Sequence, residues 1–469
     1  MRNRTRLESC PINAIFHLMP PTPEAPSGAF LDYQDGALCL DGVPLAGLAE
    51  RFGTPFFLLG ERRLIANYRA LERGLAAAGP GAVVRYCAKT NHEAAVLEPL
   101  ARCGSHLLAS HAAEVELALR CGFPPERIAY ARPVLTPEEL EAVVAAGVGL
   151  IHVHRAADLD LLESVAARAG RRVRTSLRLR DESRFSLSPL DRLNRRLGLG
   201  EDEVLEACRR FARSPWIEPA AVNFYLGTQQ ASLDGFTRVF RGVVGLLAGI
   251  AATTGVAIRE VNLGGGIPSP TLKRIGPRRL LARWRDRPVA PGGSQEEFAA
   301  RLAGRFRELV DRARLPEGPV LAAEPGRSIV GDAMVLVSRV RGVSGGWAFL
   351  DASRNALPES PLLFRRRILP LARPATGDRE RFYHLSGSTL NTLDVLDLRR
   401  RLPRLETGDA LAFCDAGAYS ISRASSYAGV PPAVYALGED GEARLVRRAG
   451  GIEQLLHPMI PRGAGGAER

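Results

Sequence analysis

Residues 82–91 read AVVRYCAKTN, a short run of strand-forming residues that ends in a small residue and a lysine. The chain has 63 basic residues, and only two of them, Lys89 and Lys273, are lysines. Arginine can supply surface charge, but its guanidinium stays protonated and cannot act as a free amine. A lysine retained at the end of a predicted buried strand is therefore a candidate for amine chemistry, such as a Schiff base with an aldehyde cofactor. The alternative is a strand-end lysine whose side chain extends into solvent.

Strand and helix patterns alternate on both sides of this stretch, over residues 55–330. The first predicted strand of this region is Phe56–Leu59, and Val83–Ala88 is the second. About eight such units, each with an apolar strand, predict a (β/α)8 barrel of the α/β class. An open doubly wound sheet is the alternative.

The sequence pattern changes after Gly331. Strand patterns with turn signals and few helices predict a C-terminal all-β domain over residues 331–469. Residues 28–54 read as short strands and a helix, and we expect them to join the β domain because they precede the first barrel unit. Residues 1–27 are polar and proline-rich and predict a flexible N-terminal extension. Residues 266–295 are rich in Pro, Arg and Gly and predict a loop insertion at the barrel mouth.

Composition limits the kinds of partner. The net charge of +12 comes from arginines dispersed among acids, so we expect no nucleic-acid partner. None of the seven cysteines forms a CxxC pair, which argues against a zinc site and against a disulfide framework and indicates a reducing cytoplasm. We find no run of about 18 apolar residues and therefore expect no membrane span.

Three further stretches carry chemistry. Residues 261–266 read VNLGGG, and glycines after a buried strand let the backbone approach an anion with several N–H groups. Residues 321–327 read LAAEPGR, in which a carboxylate and an arginine can serve a protonated ring nitrogen and a phosphate of one ligand. Residues 415–419 read DAGAY, a turn that presents a phenol.

Together these stretches resemble the fold-type III pyridoxal-phosphate decarboxylases, the family of diaminopimelate and ornithine decarboxylases. The resemblance extends from about residue 36 to residue 440 and includes DGVPL at 41–45, GTP at 53–55, YCAKTN at 86–91 and GFPPERI at 122–128. It implies an alanine-racemase-like barrel that binds pyridoxal 5′-phosphate, a C-terminal β domain, and activity as a carboxy-lyase on a small amino-acid substrate.

The resemblance also assigns roles to single residues. Lys89 would bind the cofactor aldehyde and act in catalysis, Glu324 would pair with the pyridine nitrogen, and Tyr419 would touch the phosphate or the substrate as a second catalytic residue. The other implied cofactor-binding residues are Arg178, Tyr225 (where the family has a stacked histidine), Thr228, Gly264, Gly265, Gly266, Gly326 and Arg327.

Several positions depart from the family pattern. The family usually reads GPxC(E/D)SxD where residues 387–394 read GSTLNTLD, so Leu390 replaces the catalytic cysteine and Asn391 replaces a substrate-reading acid. Diaminopimelate decarboxylases also have an RPxLY stretch that grips the distal carboxylate, and here Ser360 and Phe364 replace its arginine and tyrosine. A distal carboxylate without its arginine loses a charge-assisted contact, so we expect meso-diaminopimelate to be a poor substrate.

Three functions remain open at this point. The first is a pyridoxal-phosphate-dependent decarboxylase of another amino acid or amino-acid conjugate in secondary metabolism. The second keeps the cofactor but leads to transamination or racemisation. The third is a non-catalytic binding relative, which the retention of Lys89, Glu324 and Arg327 disfavours. The resemblance further implies a homodimer with shared active sites, in which the Leu390–Asn391 loop reaches the partner's barrel.

Overall fold

The computed structural model describes residues 30–180, 196–274, 294–315, 318–361, 363–373 and 380–456. The predicted extension over residues 1–27 lies outside them, as does most of the predicted insertion over residues 266–295.

The chain divides into two compact units. Taken over the described residues alone, the barrel unit lies within residues 63–270 and 289–331, and the β unit lies within residues 1–62, 271–288 and 332–469.

Within the described residues, eight parallel strands close the barrel unit, and each pairs with the next barrel strand in chain order, the last with the first. They are Val83–Cys87, His106–Ala109, Ile128–Ala131, Leu150–Val153, Val173–Arg178, Ile217–Asn223, Glu260–Asn262 and Val320–Ala323. The predicted barrel is confirmed, and the open sheet is excluded because no strand edge is left unpaired.

Most helices of the barrel unit lie between these strands in the sequence, whereas the first precedes Val83–Cys87 and the last follows Val320–Ala323. The helices are Glu61–Leu75, Ala94–Arg102, Ala112–Arg120, Pro137–Ala145, Ala156–Arg168, Glu201–Phe211, Leu233–Thr254, Gln295–Ala313 and the short helix Arg327–Val330. Their starts follow local sequence signals: Ser294 and Glu297, for example, form a reciprocal capping box at the start of Gln295–Ala313.

Strand Phe56–Gly60 lies outside the barrel. Its apolar sequence pattern predicts it as the first strand of the barrel region, and that prediction is wrong. It pairs antiparallel with Met334–Ser344 and parallel with Ala433–Leu437 in the β unit. The barrel therefore begins at Val83 rather than just after residue 55. Every residue of Phe56–Gly60 is buried, and an apolar run that is buried on both faces looks the same in a barrel as in any covered sheet.

The β unit contains a small antiparallel sheet near its start, a larger sheet of nine strands among the described residues, and a two-stranded ribbon. The small sheet comprises Leu31–Gln34, Ala37–Leu40 and Val43–Pro44, and the helix Leu45–Phe52 follows it. The larger sheet comprises Phe56–Gly60, Met334–Ser344, Trp347–Leu350, Ile368–Pro370, Arg381–Ser386, Val395–Leu402, Ala410–Phe413, Ala433–Leu437 and Ala443–Arg447. The ribbon pairs Lys273–Arg274 with Phe364–Arg365, and a last short helix covers Ile452–Leu456.

One hydrophobic core joins the start of the chain to the larger sheet. Leu38, Leu40 and Leu45 pack in one cluster with Leu58 and Val335. The burial of these apolar side chains holds the segment before residue 55 on the β unit.

One described helix, Leu233–Thr254, is long and apolar enough to cross a membrane by length and composition alone, although Asp234, Arg238 and Arg241 interrupt its apolar residues. Its apolar side chains pack within the barrel unit: Phe236 and Phe240 are buried, and the ring of Phe240 makes edge contacts with Phe224 and Phe306. A buried helix of a large barrel meets the same criteria of length and composition.

The barrel interior contains a buried ion pair. Nη1 and Nη2 of Arg85 donate to Oε1 and Oε2 of Glu260, each at 2.7 Å. Both side chains are almost inaccessible to solvent. Each charge is therefore tolerated only in the presence of the other.

We expect Glu260→Gln to lower the free energy of unfolding by about 3–5 kcal/mol, because it leaves the Arg85 charge buried without its partner. Urea denaturation of the cofactor-free protein measures this. The matched control is Glu296→Gln, which breaks the exposed Arg73–Glu296 pair and should have little effect. Equal effects of the two substitutions would contradict the interpretation.

Candidate active site

Three neighbouring barrel strands end at the same rim of the barrel. Glu260–Asn262 pairs with Val320–Ala323, which pairs with Val83–Cys87. The turns that follow these strands carry the glycine stretch 264–266, Glu324 and Lys89 respectively. Since the carboxyl ends of parallel barrel strands form the usual site of catalysis in this architecture, this rim is the candidate site.

Backbone hydrogen bonds tie the three turns together. The N–H of Cys87 donates to the carbonyl of Pro325 at 3.1 Å, and the N–H of Glu324 donates to the carbonyl of Gly264 at 2.8 Å. The geometry of one turn is thus fixed by the next.

Hydrogen bonds among residues 86–93 hold the turn that carries Lys89. The hydroxyl of Tyr86 donates to the carbonyl of Asn91 at 2.9 Å, and Oδ1 of Asn91 accepts the N–H of Glu93 at 3.1 Å. The side chain of Lys89 is exposed, whereas Ala88 and Thr90 on either side are buried. The turn therefore presents an amine at the rim.

Glu324 is a buried carboxylate with two polar neighbours. Nδ2 of Asn262 donates to its Oε1 at 2.7 Å, and Nε2 of His152 lies 3.0 Å from the same oxygen. Burial raises the pKa of Glu324, but His152, Arg85 and Asn262 together outweigh it and lower the pKa to about 2. The carboxylate is therefore ionised near neutral pH.

The glycine turn leaves no room for side chains. Gly264 has φ +69°, and a Cβ there would lie 2.4 Å from the carbonyl oxygen of Phe224. Gly266 has φ +94°, and its Cβ would lie 2.0 Å from the carbonyl oxygen of Gly227. Backbone conformation and space both require glycine at these two positions.

Gly326 lies against the turn that carries Lys89. A Cβ at Gly326 would lie 2.0 Å from Oγ1 of Thr90, although the backbone of Gly326 has an ordinary negative φ. The next residue, Arg327, is buried and begins a short helix.

The remaining predicted residues of the barrel unit lie near the glycine turn. Arg178 ends its strand, with its guanidinium carbon 5.9 Å from the ring centroid of Tyr225. The ring of Tyr225 lies 3.9 Å from the place of a Cβ on Gly265. Tyr225 and Thr228 are half-buried.

The other predicted residues belong to the β unit and are described within it. Tyr419 is half-buried and has φ +56°. Leu390 is fully exposed, and Oδ1 of the exposed Asn391 accepts the N–H of Leu393 at 2.9 Å. Ser360 and Phe364 lie one turn apart, because the carbonyl of Ser360 accepts the N–H of Phe364 at 3.0 Å.

Sequence reasoning assigned no role to His152 or Asn262. Asn262 was part of the quoted glycine stretch but was read only as the end of a strand. His152 had a signal that could have found it, because a histidine interrupts the otherwise apolar strand Leu150–Val153.

The described residues contain no group of three or more histidine, cysteine, aspartate or glutamate side chains arranged to hold a metal ion.

Residues 62–331 match the family model described as pyridoxal-dependent decarboxylase, pyridoxal binding domain. The chain belongs to the pyridoxal-dependent decarboxylase family. The resemblance read from the motifs is confirmed, and with it the cofactor, pyridoxal phosphate, and the class of enzyme, an amino acid decarboxylase.

Relatives along nearly the whole chain support this membership. The chain is 30% identical to the diaminopimelate decarboxylase of Pseudomonas aeruginosa over 431 residues, which cover 90% of this chain and 97% of that protein. It is also 30% identical to the diaminopimelate decarboxylase of Actinosynnema pretiosum subsp. auranticum over 447 residues, which cover 91% and 93%.

Solved structures share the fold. The diaminopimelate decarboxylase of M. jannaschii superposes with a TM-score of 0.81 at 22% identity, covering 92% of this chain and 98% of that chain. The lysine/ornithine decarboxylase of Vibrio vulnificus complexed with putrescine gives a TM-score of 0.66 at 20% identity, covering 84% and 97%.

The residues at the barrel rim fit pyridoxal phosphate. The ionised carboxylate of Glu324 suits a protonated ring nitrogen, and the exposed amine of Lys89 suits an aldehyde. Three successive glycines without Cβ atoms suit a phosphate that binds main-chain N–H groups.

We expect Gly326→Ala to raise the dissociation constant of pyridoxal phosphate about 5- to 150-fold, because overpacking in so tight a contact costs about 1–3 kcal/mol. The matched control is Gly304→Ala, in a helix where a Cβ meets no atom within 4 Å. Titration of the cofactor-free variants, followed by absorbance, gives both constants. Adding Thr90→Ala to Gly326→Ala should restore part of the affinity, and failure to do so would count against the contact as the cause.

Proposed function

We propose that this family member decarboxylates an amino acid or amino-acid conjugate other than meso-diaminopimelate, in secondary metabolism. The observation that carries the proposal is the set of residues at the substrate positions that the resemblance defines. Ser360, Phe364, Leu390 and Asn391 stand where an arginine, a tyrosine, a cysteine and an acid are expected.

The proposed chemistry begins at the barrel rim. Bound pyridoxal phosphate supplies an electron sink for the bond that breaks when carbon dioxide leaves. Lys89 would hold the cofactor aldehyde, and its amine, when not bound to the cofactor, would hold a proton near the substrate carbon. Glu324 keeps a proton on the ring nitrogen, which its ionised carboxylate supports.

The phosphate end of the cofactor is assigned to Gly264–Gly266, Thr228, Gly326 and Arg327. Main-chain N–H groups and a guanidinium together neutralise a phosphate dianion. Arg178 and Tyr225 are assigned to the cofactor ring, which the ring of Tyr225 can cover by stacking.

The residues at the substrate positions are the reason for proposing a substrate other than meso-diaminopimelate. Neither Ser360 nor Phe364 can neutralise a distal carboxylate, and burying one without its charged partner costs about 2–5 kcal/mol. Asn391 is likewise uncharged and gives no charged partner for a distal ammonium. A neutral side chain on the substrate fits these residues better than a charged one.

The family cysteine has no counterpart in the loop, since Leu390 occupies its place. Asp394 in the same loop has a structural role: its Oδ1 accepts the N–H of Arg354 at 2.7 Å and its Oδ2 accepts the hydroxyl of Thr389 at 2.6 Å. Tyr419 and the amine of Lys89 are the candidates that we favour as proton donors in place of the thiol.

We place the enzyme in the cytoplasm, with a small-molecule amino acid as substrate. All six cysteines among the described residues are free thiols, which supports a reducing compartment.

We expect a screen of amino acids for carbon dioxide release to give a kcat/KM for meso-diaminopimelate at least about 30-fold below that of the best substrate, from the lost contact of about 2–5 kcal/mol. The Lys89→Ala protein, tested on the same panel, is the blank. Ser360→Arg combined with Phe364→Tyr should raise the activity on meso-diaminopimelate. A wild-type enzyme that prefers meso-diaminopimelate would overturn the proposal.

We also propose a head-to-tail homodimer with shared sites. In the β unit, Phe349 and Phe382 are 43% and 54% exposed on paired strands, and the loop residues Leu390 and Leu393 are 105% and 68% exposed. So many exposed apolar side chains on one sheet and its adjoining loop are typical of an interaction surface. The fixed loop around Asp394 would carry Asn391 into the partner's barrel.

Mixing Lys89→Ala with Asn391→Ala protein should restore activity to about a quarter of the wild-type level, since half of the reassorted dimers would each hold one intact site. Carbon dioxide release after denaturation and joint refolding measures the recovery. The control mixes Lys89→Ala with the double variant Lys89→Ala/Asn391→Ala, in which no intact site can form. The absence of any recovery in the first mixture would argue against shared sites.

A further inference from the structure

The two oxygens of the Glu324 carboxylate have different surroundings. Oε1 has both polar neighbours, Nδ2 of Asn262 at 2.7 Å and Nε2 of His152 at 3.0 Å. Among the described residues, no side chain hydrogen bonds to Oε2. Oε2 is therefore the oxygen that can meet the ring nitrogen of the cofactor.

His152 lies inside the barrel wall. It is on strand Leu150–Val153, whose first residue packs in the interior cluster with Cys87 and Leu108. Side chains two residues apart on a strand face the same side, so His152 also faces the interior. Its side chain is 1% exposed.

The packing of the barrel does not explain a histidine at this position. Within the described residues, Nδ1 of His152 has no hydrogen-bond partner, and Nε2 touches Glu324 without the alignment of a straight hydrogen bond. Burying an imidazole with so few partners costs free energy that an aliphatic side chain would avoid. The contact with Glu324 is the interaction that an aliphatic residue could not provide.

We propose that His152 is a positioning residue for the cofactor: the polar contact of its Nε2 with Oε1 of Glu324, at 3.0 Å, keeps that oxygen turned toward His152, so that Oε2 faces the ring nitrogen and the proton stays on the ring. The lowered pKa of Glu324, to about 2, is consistent with this role, since a carboxylate that resists protonation leaves the proton to the nitrogen. A protonated ring nitrogen makes the ring the stronger electron sink.

His152 is a cleaner probe of this function than Asn262. Oδ1 of Asn262 also accepts the N–H of Gly264 at 2.8 Å, so a change there would disturb the glycine turn as well. The polar contact of His152 among the described residues is with Glu324. The proposal needs the family's cofactor but is independent of which amino acid is decarboxylated.

The test uses pyridoxal phosphate labelled with nitrogen-15 in the ring, bound to the full-length protein without substrate. The nitrogen chemical shift reports whether the ring nitrogen is protonated, and a parallel titration of cofactor-free protein gives the dissociation constant. His152→Phe removes the donor and keeps a planar ring, whereas His152→Gln keeps an N–H near the place of Nε2. The matched control is His106→Phe, which changes a half-buried histidine at the amino end of another barrel strand.

In the wild type and in His106→Phe, the ring nitrogen should be protonated at neutral pH. In His152→Phe it should be wholly or partly deprotonated, and the dissociation constant should rise about tenfold, the scale of a lost hydrogen bond to a charged group. His152→Gln should resemble the wild type. A merely structural histidine would not move the nitrogen shift.

A His152→Phe protein with a wild-type nitrogen shift and an affinity within about twofold of the wild type would overturn the proposal. If His152→Phe does not fold, as judged by its thermal unfolding, His152→Asn decides the question, because its amide is too short to reach Oε1. It should then behave as expected for His152→Phe, and wild-type behaviour would overturn the proposal. A wild-type protein that takes up no cofactor would overturn both this proposal and the proposed function, whereas failure of the substrate screen alone would leave this one standing.

Discussion

The hydrogen bonds between strands Val83–Cys87 and Val320–Ala323 close the barrel, and the arrangement of the site depends on that closure. These strands are far apart in sequence, yet their pairing places the turn of Lys89 beside the turn of Glu324. The same pairing lets the backbone of Cys87 reach Pro325 and brings Gly326 against Thr90. Opening the barrel between these two strands would leave them at opposite edges of a sheet and would divide the site.

The barrel contains two buried carboxylates, Glu260 and Glu324, whose surroundings differ. Both oxygens of Glu260 accept from the guanidinium of Arg85, so this pair is internally complete. The polar contacts of Glu324 fall on one oxygen, and its charge is stabilised without using the other. Because a buried charge persists only where its surroundings compensate it, an ionised carboxylate with one open oxygen is suited to receive a ligand.

The β unit has a hydrophobic core of its own and a loop that is held by hydrogen bonds. Its core holds the first strands of the chain against the larger sheet, while the loop around Asp394 is fixed by hydrogen bonds to its own backbone. That internal fixing leaves Leu390 and Asn391 at the exposed end of the loop. Family membership establishes the cofactor and the class of reaction, and differences at such loop positions can change the substrate without altering the barrel.

The sequence by itself determined the barrel, the second β-rich unit and the three turns of the site. Lys89, the glycine stretch and Glu324 each come just after a predicted strand, and the amino-acid sequence alone shows that order. Only the tertiary structure decided that Phe56–Gly60 joins the β unit and that His152 faces Glu324. Both depend on pairings between distant segments, and neither an apolar run nor a lone histidine specifies locally which strand or side chain it will meet.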